Sequence, residues 1–339
     1  MQLNPVGIGT GNTKNLTVDL LHAAFDLGMN VVDTAANYGT EEIIGKAMAG
    51  RRDKVFVATK LGPEALREED VIASCDMSLV ALETDYVDLL QVHWLNPAIP
   101  IESTIEGFQH LLKQGKVVNV GLCNVTLPQL MKWVELLPEI YSVQNEYNLF
   151  DRSVEDRMLS YCFKHNIKLF AYSPLDQGHF CGGPKKAEFL KPLASKYNTN
   201  VAAFCLGYLL SMPGVYVLPR ISSVSRLTEI GESETIIQCP GFYDVYARLT
   251  VYDNIYRPIK ILPSELDLVL SPYKTSADAV HNYLSRCPHP LDLARDGTWL
   301  KPLKAWRRGT IYELCEGFMR YWAHVIANGD DPVEVLVRE

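Results

Sequence analysis

The sequence predicts an eight-fold (β/α)8 TIM barrel carrying an appended C-terminal α+β segment. Three observations carry that reading. Short β-rich runs alternate with longer helical patterns up to about residue 230. Most of these runs are unbroken apolar stretches, the pattern of strands covered on both faces in a parallel sheet. Past residue 231 the alternation stops and the composition changes. A doubly wound sheet is the rival architecture, but it would show about six strands and a glycine fingerprint after the first. Here Gly7-Ile8-Gly9-Thr10-Gly11 runs on into Asn12-Thr13 without that spacing, so the glycines indicate only a tight turn.

The elements follow in order. A first strand at residues 6–10 leads into a helix over 15–27, where Leu16, Leu20, Ala23, Ala24 and Leu27 share one stripe and Gly28 stops it. The second and third strands lie at 31–35 and 55–60, the third followed by a helix over 69–82. The fourth strand, 87–93, precedes a helix over 103–114 that ends at Gly115. Strands at 117–123, 142–147 and 168–173 precede helices over 127–137, 154–165 and 192–212. The eighth strand, 215–220, leads to a helix beginning near Ser223. Beyond it come Ile236-Ile237-Gln238-Cys239-Pro240-Gly241, Tyr-rich alternation at 245–252, helical patterns at 263–270, 276–286 and 310–328, and a strand-like run at 333–337. Phe318, Tyr321 and Trp322 on the last of these helices belong to a core or an interface. Two domains are expected. Residues 1–231 form the barrel, and 232–339 form an α+β extension serving as lid, substrate-binding or dimerisation unit.

With 339 residues, 47% of them hydrophobic, the chain can bury a core of that size. No apolar run is long enough to span a bilayer, and Met1-Gln2-Leu3-Asn4-Pro5 has neither the basic flank nor the apolar stretch of a signal peptide. A cytoplasmic address without a membrane partner is expected. The net charge of -8, the pI of about 5.6 and the absence of a basic cluster interleaved with aromatics exclude nucleic acid as a partner. The eight cysteines are scattered, and Cys123, Cys162 and Cys205 sit inside apolar runs, as buried free thiols do. His281, Cys287 and His289 lack paired ligand spacing and are read as loop residues, so no metal is expected.

Barrel enzymes place their chemistry at the C-terminal ends of the strands. Those ends carry Asp33-Thr34-Ala35-Ala36-Asn37-Tyr38-Gly39, then Lys60, His93-Trp94, Cys123-Asn124, Gln144-Asn145-Glu146 and Tyr172-Ser173-Pro174-Leu175. Singly, each has an ordinary explanation. Asp33 could cap a helix, Lys60 could be a solvated strand end, His93 a core histidine, Tyr172 barrel packing. Jointly, Asp, Tyr, Lys and His from three consecutive strand ends mark a site, with Trp94 beside it on the substrate pocket.

The runs Asp33-Thr34-Ala35 with Tyr38-Gly39, Ala58-Thr59-Lys60, Asp88-Leu89-Leu90-Gln91-Val92-His93-Trp94, Gly121-Leu122-Cys123-Asn124 and Tyr172-Ser173-Pro174-Leu175 resemble the successive signatures of the aldo-keto reductase family, in order and at family spacing. The resemblance implies hydride transfer between NADPH and a carbonyl compound, a small aldehyde or ketone, sugar-like ones included. Reduction builds negative charge on the carbonyl oxygen, so a proton donor must reach it. Tyr38 takes that role by resemblance. Lys60 would lower its pKa, Asp33 would hold Lys60 charged, and His93 would polarise the carbonyl. Cys123, Asn124, Gln144 and Tyr172 match the nicotinamide contacts, Cys123 standing where a serine is usual. Ser173 and Leu175 would lie along the pyrophosphate. Arg220, Ser222 and Arg226, in the last strand-to-helix segment, would bind the 2′-phosphate and favour NADPH over NADH. Arg220 replaces a frequent glycine, and Ile230 stands where an asparagine often meets the adenine. The same residues serve the reverse oxidation of a sugar or secondary alcohol. A regulatory, cofactor-binding subunit is the alternative of another class, favoured by the foreign C-terminal segment, which also offers a surface for pairing two copies.

Overall fold

The computed structural model describes residues 1–13, 15–155, 157–178, 184–231, 233, 256–268, 275–279, 303–308, 310–316 and 318–338. Eight parallel strands follow one another in chain order: β1 (Ile8–Gly9), β2 (Val31–Asp33), β3 (Phe56–Leu61), β4 (Leu89–Val92), β5 (Val120–Cys123), β6 (Ile140–Glu146), β7 (Lys168–Tyr172) and β8 (Val215–Leu218). The sheet closes on itself. Val6 and Gly9 bridge in parallel to Val217 and Arg220, and Gly7 N–H donates to Val217 O at 2.8 Å. A Cβ at Gly9 would lie 2.7 Å from Leu218 O, so the glycine run serves the seam between first and last strands. Period-2 alternation then decides what points inward. Val31, Phe56, Ala58, Leu89, Phe170 and Leu218 form one buried apolar cluster. Asp33, Lys60 and Gln144 come further along those strands or their neighbours, toward the C-terminal ends.

The surrounding helices are α1 (Val18–Asp26), α2 (Glu41–Met48), α3 (Glu68–Ala81), α4 (Ile101–Gln114), α5 (Leu127–Leu136), α6 (Met158–Lys164), α7 (Pro184–Lys196), α8 (Val201–Leu210) and α9 (Val224–Gly231). Local chemistry sets their ends. Thr17 accepts from Leu20 N–H, Thr126 and Gln129 form a reciprocal capping box, and Gly115 takes the left-handed φ of 71° that stops α4. Three features differ from the sequence reading. The expected helix over 192–212 is two helices, because Asn200 caps a new start by accepting from Ala203 N–H at 2.8 Å. The helix expected over 154–165 begins only at Met158, after a 3-10 turn. Helix α2 has no counterpart in the sequence reading. Its Gly45 looks like a breaker, but a Cβ there would lie 2.6 Å from Leu82 O, so the glycine permits close packing against the end of α3.

The chain divides into two compact units, Met1–Val245 and Tyr246–Glu339. The second contains a mixed five-stranded sheet. Its strands are β9 (Tyr256–Ile261), β10 (Leu266–Asp267), β11 (Leu303–Arg308), β12 (Ile311–Glu316) and β13 (Val333–Arg338), in the order β10-β12-β11-β13-β9. Helix α10 (Phe318–Asn328) places Tyr321, Trp322 and Ala323 in one core with Leu303, Leu314, Val335 and Val337. The strand at 333–337 is as expected. The helix expected over 263–270 is a 3-10 turn and a short strand, and the helix expected over 310–328 is β12 followed by α10. Of the helix expected over 276–286, Ser276–Ala279 is helical and the rest lies outside the described residues, as do the stretches 236–241 and 245–252. No helix among the described residues is long and apolar enough to cross a membrane.

Candidate active site

Lys60 is the centre of the constellation. Its side chain is buried, with Nζ donating to Asp33 Oδ2 and to the Thr34 carbonyl, both at 2.7 Å. A buried ammonium needs such partners, since an unpaired charge in the interior is costly. Burial pushes its pKa down, but Asp33 and Tyr38 outweigh that effect, so the net direction is up and Lys60 stays charged. Asp33 is also held from the other side, Gln144 Nε2 donating to its Oδ1 at 2.7 Å.

Tyr38 ends a 3-10 turn, Ala36–Tyr38, just beyond β2, and its ring faces Lys60 with Nζ 4.9 Å from the ring centroid. Its hydroxyl lies 3.4 Å from His93 Nε2, and the two rings meet edge to face with centroids 5.7 Å apart. Burial raises the Tyr38 pKa, Lys60 opposes it, and Asp33 adds to it; the net direction is upward. The sequence reading expected Lys60 to lower the phenol. It does act in that direction, but desolvation is the larger effect. His93 is lowered to about 3, first by burial and then by Lys60, so the imidazole is neutral. Trp94 stacks beside it with centroids 6.2 Å apart.

The next strand ends converge on the same place. Asn124, in the left-handed region at φ 57°, donates from Nδ2 to the His93 carbonyl at 3.0 Å and accepts from Tyr172 OH at 2.8 Å. Gln144 links this group to Asp33. Cys123 is buried, and burial pushes its thiol pKa up, which keeps it protonated and a weak donor. Ser173 and Leu175 are half-buried in the loop after β7, Ser173 at φ 47°. Arg220, Ser222 and Arg226 are exposed beyond β8. Arg220 donates to the Asn12 carbonyl at 3.1 Å, and Arg226 pairs with Glu229 at 2.7 Å. These three share no hydrogen bond with the Tyr38–Lys60 cluster. The sequence reading missed Thr10, Thr34 and Thr40, whose buried hydroxyls bond to one another behind Asp33. Among the described residues no group of His, Cys, Asp or Glu is arranged to hold a metal ion, and His281, Cys287 and His289 lie outside them. Cys75, Cys123, Cys162 and Cys205 are buried free thiols.

Residues 3–238 match the model of the aldo/keto reductase family. The chain is 29% identical to methylglyoxal reductase YeaE of Escherichia coli over 241 residues, covering 68% of this chain and 84% of the relative. It is 32% identical to aldo-keto reductase YhdN of Bacillus subtilis over 204 residues, covering 54% and 61%. An aldo-keto reductase from Klebsiella pneumoniae solved in complex with NADPH superposes with a TM-score of 0.68 at 26% identity, over 74% of this chain and 91% of that one.

Proposed function

The chain belongs to the aldo/keto reductase family, and we propose that it reduces a small aldehyde or ketone to the alcohol with NADPH, Tyr38 returning the proton. The observation carrying this assignment of roles is the buried Lys60 ammonium, bonded to Asp33 and set against a phenol whose hydroxyl lies 3.4 Å from a neutral imidazole.

NADPH, when bound, supplies the hydride that reaches the carbonyl carbon. The donor set suits it. Asn124 and Gln144 carry amides that can pair with a carboxamide, Tyr172 offers an aromatic face, and Arg220 and Arg226 are exposed cations near the start of α9. Asn124, Gln144 and Tyr172 would hold the nicotinamide, with Cys123 contributing at most a weak S–H donor. Ser173 and Leu175 would line the pyrophosphate, and Arg220, Ser222 and Arg226 the 2′-phosphate, which favours NADPH over NADH. For Arg226 this requires exchanging Glu229 for phosphate, an exchange of one exposed ion pair for another.

The protein's own residues manage the proton. Its raised pKa keeps Tyr38 protonated at neutral pH, so the donor is loaded before substrate arrives. As charge grows on the carbonyl oxygen, that proton leaves Tyr38, and the resulting phenolate faces the Lys60 ammonium. His93 is neutral, and in the tautomer that carries its proton on Nε2 it would donate to the same oxygen rather than compete for the Tyr38 proton. Trp94 walls the substrate pocket. Two relatives named for methylglyoxal reduction point to a small 2-oxoaldehyde as the preferred substrate class. A cytoplasmic location and a role for residues 232–339 in substrate access or in pairing two copies complete the proposal.

The test is NADPH consumption against methylglyoxal, simple aldehydes, ketones and aldoses, for the native chain and Tyr38→Phe. The variant should bind NADPH normally and lose roughly a thousandfold in turnover. Most of the native turnover surviving in Tyr38→Phe would remove Tyr38 from the mechanism.

A further inference from the structure

Three buried threonines form a hydrogen-bonded chain whose direction can be worked out. Thr10 Oγ1 lies 2.9 Å from the Asp33 carbonyl, which can only accept, so Thr10 spends its single hydroxyl proton there. Its contact with Thr40 Oγ1, at 2.9 Å, must therefore be donated by Thr40. Thr40 then has only lone pairs left for Thr34 Oγ1 at 2.8 Å, so Thr34 donates. The chain runs Thr34 to Thr40 to Thr10 to the Asp33 carbonyl, with all three side chains buried. Every proton has one place to go, which makes the arrangement rigid.

Its endpoints matter. Lys60 Nζ is anchored by Asp33 Oδ2 and the Thr34 carbonyl, both on the two residues where the chain begins and ends. Residues 35–39, which include Tyr38, form a loop clipped at its base by the Thr34–Thr40 bond. On the third side, Thr10 carries Gly11 against Tyr38. A Cβ on Gly11 would lie 3.2 Å from Cε2 and Cζ of that ring. The chain thus ties together the backbone anchor of the ammonium, the loop bearing the phenol and the backbone that packs on it.

We propose that Thr40 is a positioning residue for proton transfer, its hydroxyl bridging Thr34 and Thr10 to hold Tyr38 against Lys60. The proposal rests on the assignment of Tyr38 as proton donor, and it places one more determinant of the rate outside the groups that touch substrate. A misplacement of about 1 Å at such a loop can cost up to about a hundredfold in rate.

The experiment compares full-length Thr40→Val, Thr40→Ser and Tyr38→Phe under conditions where each is folded by circular dichroism. Thr40→Val keeps the shape and loses the hydroxyl. It should lower kcat by about tenfold or more while the KM for NADPH stays within about twofold, and it should displace the alkaline limb of the pH profile. Thr40→Ser, which keeps the donor and acceptor, should recover most of kcat. Should Thr40→Val not fold, Thr34→Val, which removes only the head of the chain, decides on the same readouts. Native kcat and an unmoved pH limb in the valine variant, with Tyr38→Phe inactive, would overturn the threonine proposal alone. Full turnover in Tyr38→Phe would overturn both. A valine variant that only melts earlier, with kcat intact, reduces Thr40 to a stabilising role and also overturns the proposal.

Discussion

His93 shows how burial sets a protonation state that composition cannot reveal. Its pKa falls to about 3 in the folded protein, against about 6.5 for an imidazole in an unfolded chain. Between those values the unfolded chain binds a proton that the folded chain does not, so stability rises with pH across that window. The contribution is fully present above about pH 6.5 and is lost as pH falls toward 3. His93→Asn should therefore flatten the acid limb. Between about pH 7.5 and 4.5 the variant's urea-derived stability should fall by roughly 2 kcal/mol less than the native chain's. An identical fall in both would show that His93 is solvated or readily protonated in the fold. Asp33, Tyr38, Lys60 and His93 were legible in the sequence because strand ends can be located from apolar runs, and the polar residue just past each run is the one that faces the mouth. The sign of the Tyr38 shift was not legible. It depends on how much water burial removes, and that outweighs Lys60. The threonine chain was equally invisible, since Thr10 and Thr40 are thirty positions apart and mean nothing until the first two strands pair.

Helix α2 is the clearest lesson among the elements. Glu41 and Glu42 occupy its first turn, and Ile44, Ala47 and Met48 are buried, so a helical signal was present. Gly45 disguised it. Propensity alone says that Gly45→Ala should stabilise the helix by about 1 kcal/mol. The packing says the opposite, because the new methyl would press on the backbone at Leu82, which cannot yield as a side chain would. Gly45→Ala should lower stability by about 1–3 kcal/mol, read as a lower melting temperature. A higher one would mean that α2 and α3 slide apart freely. Elsewhere the residue pattern hides the fold in a different way. In the stretch 310–328, aromatics at helical spacing masked a hairpin in which Arg308 pairs with Ile311 across a two-residue gap. Asp88, in the same sequence motif as His93, works at the opposite end of the barrel, accepting from Arg52 at 2.8 Å and from Val57 N–H at 2.9 Å.

Over the whole chain, the barrel was readable because one unit repeats, so an error in any helix leaves the count of strands intact. The second unit has no repeat to average over, and its mixed sheet pairs strands out of sequence order. It nevertheless packs its own core around Trp322, Val335 and Leu314, as a unit of that size can. Since Met1–Val245 is compact in its own right and carries the entire candidate site, a chain ending at Val245 should still bind NADPH, measured by fluorescence titration. Its KM for the carbonyl substrate should rise markedly or its turnover should vanish, if the second unit governs substrate access. A truncated enzyme with native kinetic constants would leave that unit no part in the reaction and point to an interaction module.

The seam between β1 and β8 also governs when the enzyme can first exist. Pro5, Gly7 and Gly9 bond to residues of the segment at Val217 and Pro219, and Asn12 to Arg220, 208 positions later. Closing a loop of that length costs about 5 kcal/mol of chain entropy before any contact repays it. A ribosome finishes Asp33, Tyr38, Lys60 and His93 early, yet the strand that leads into Thr10 and Gly11 keeps an open edge until the eighth strand emerges. During synthesis the nascent chain holds the residues of the candidate site before the barrel wall around them has closed. It becomes a reductase only when its last barrel strand finds its first.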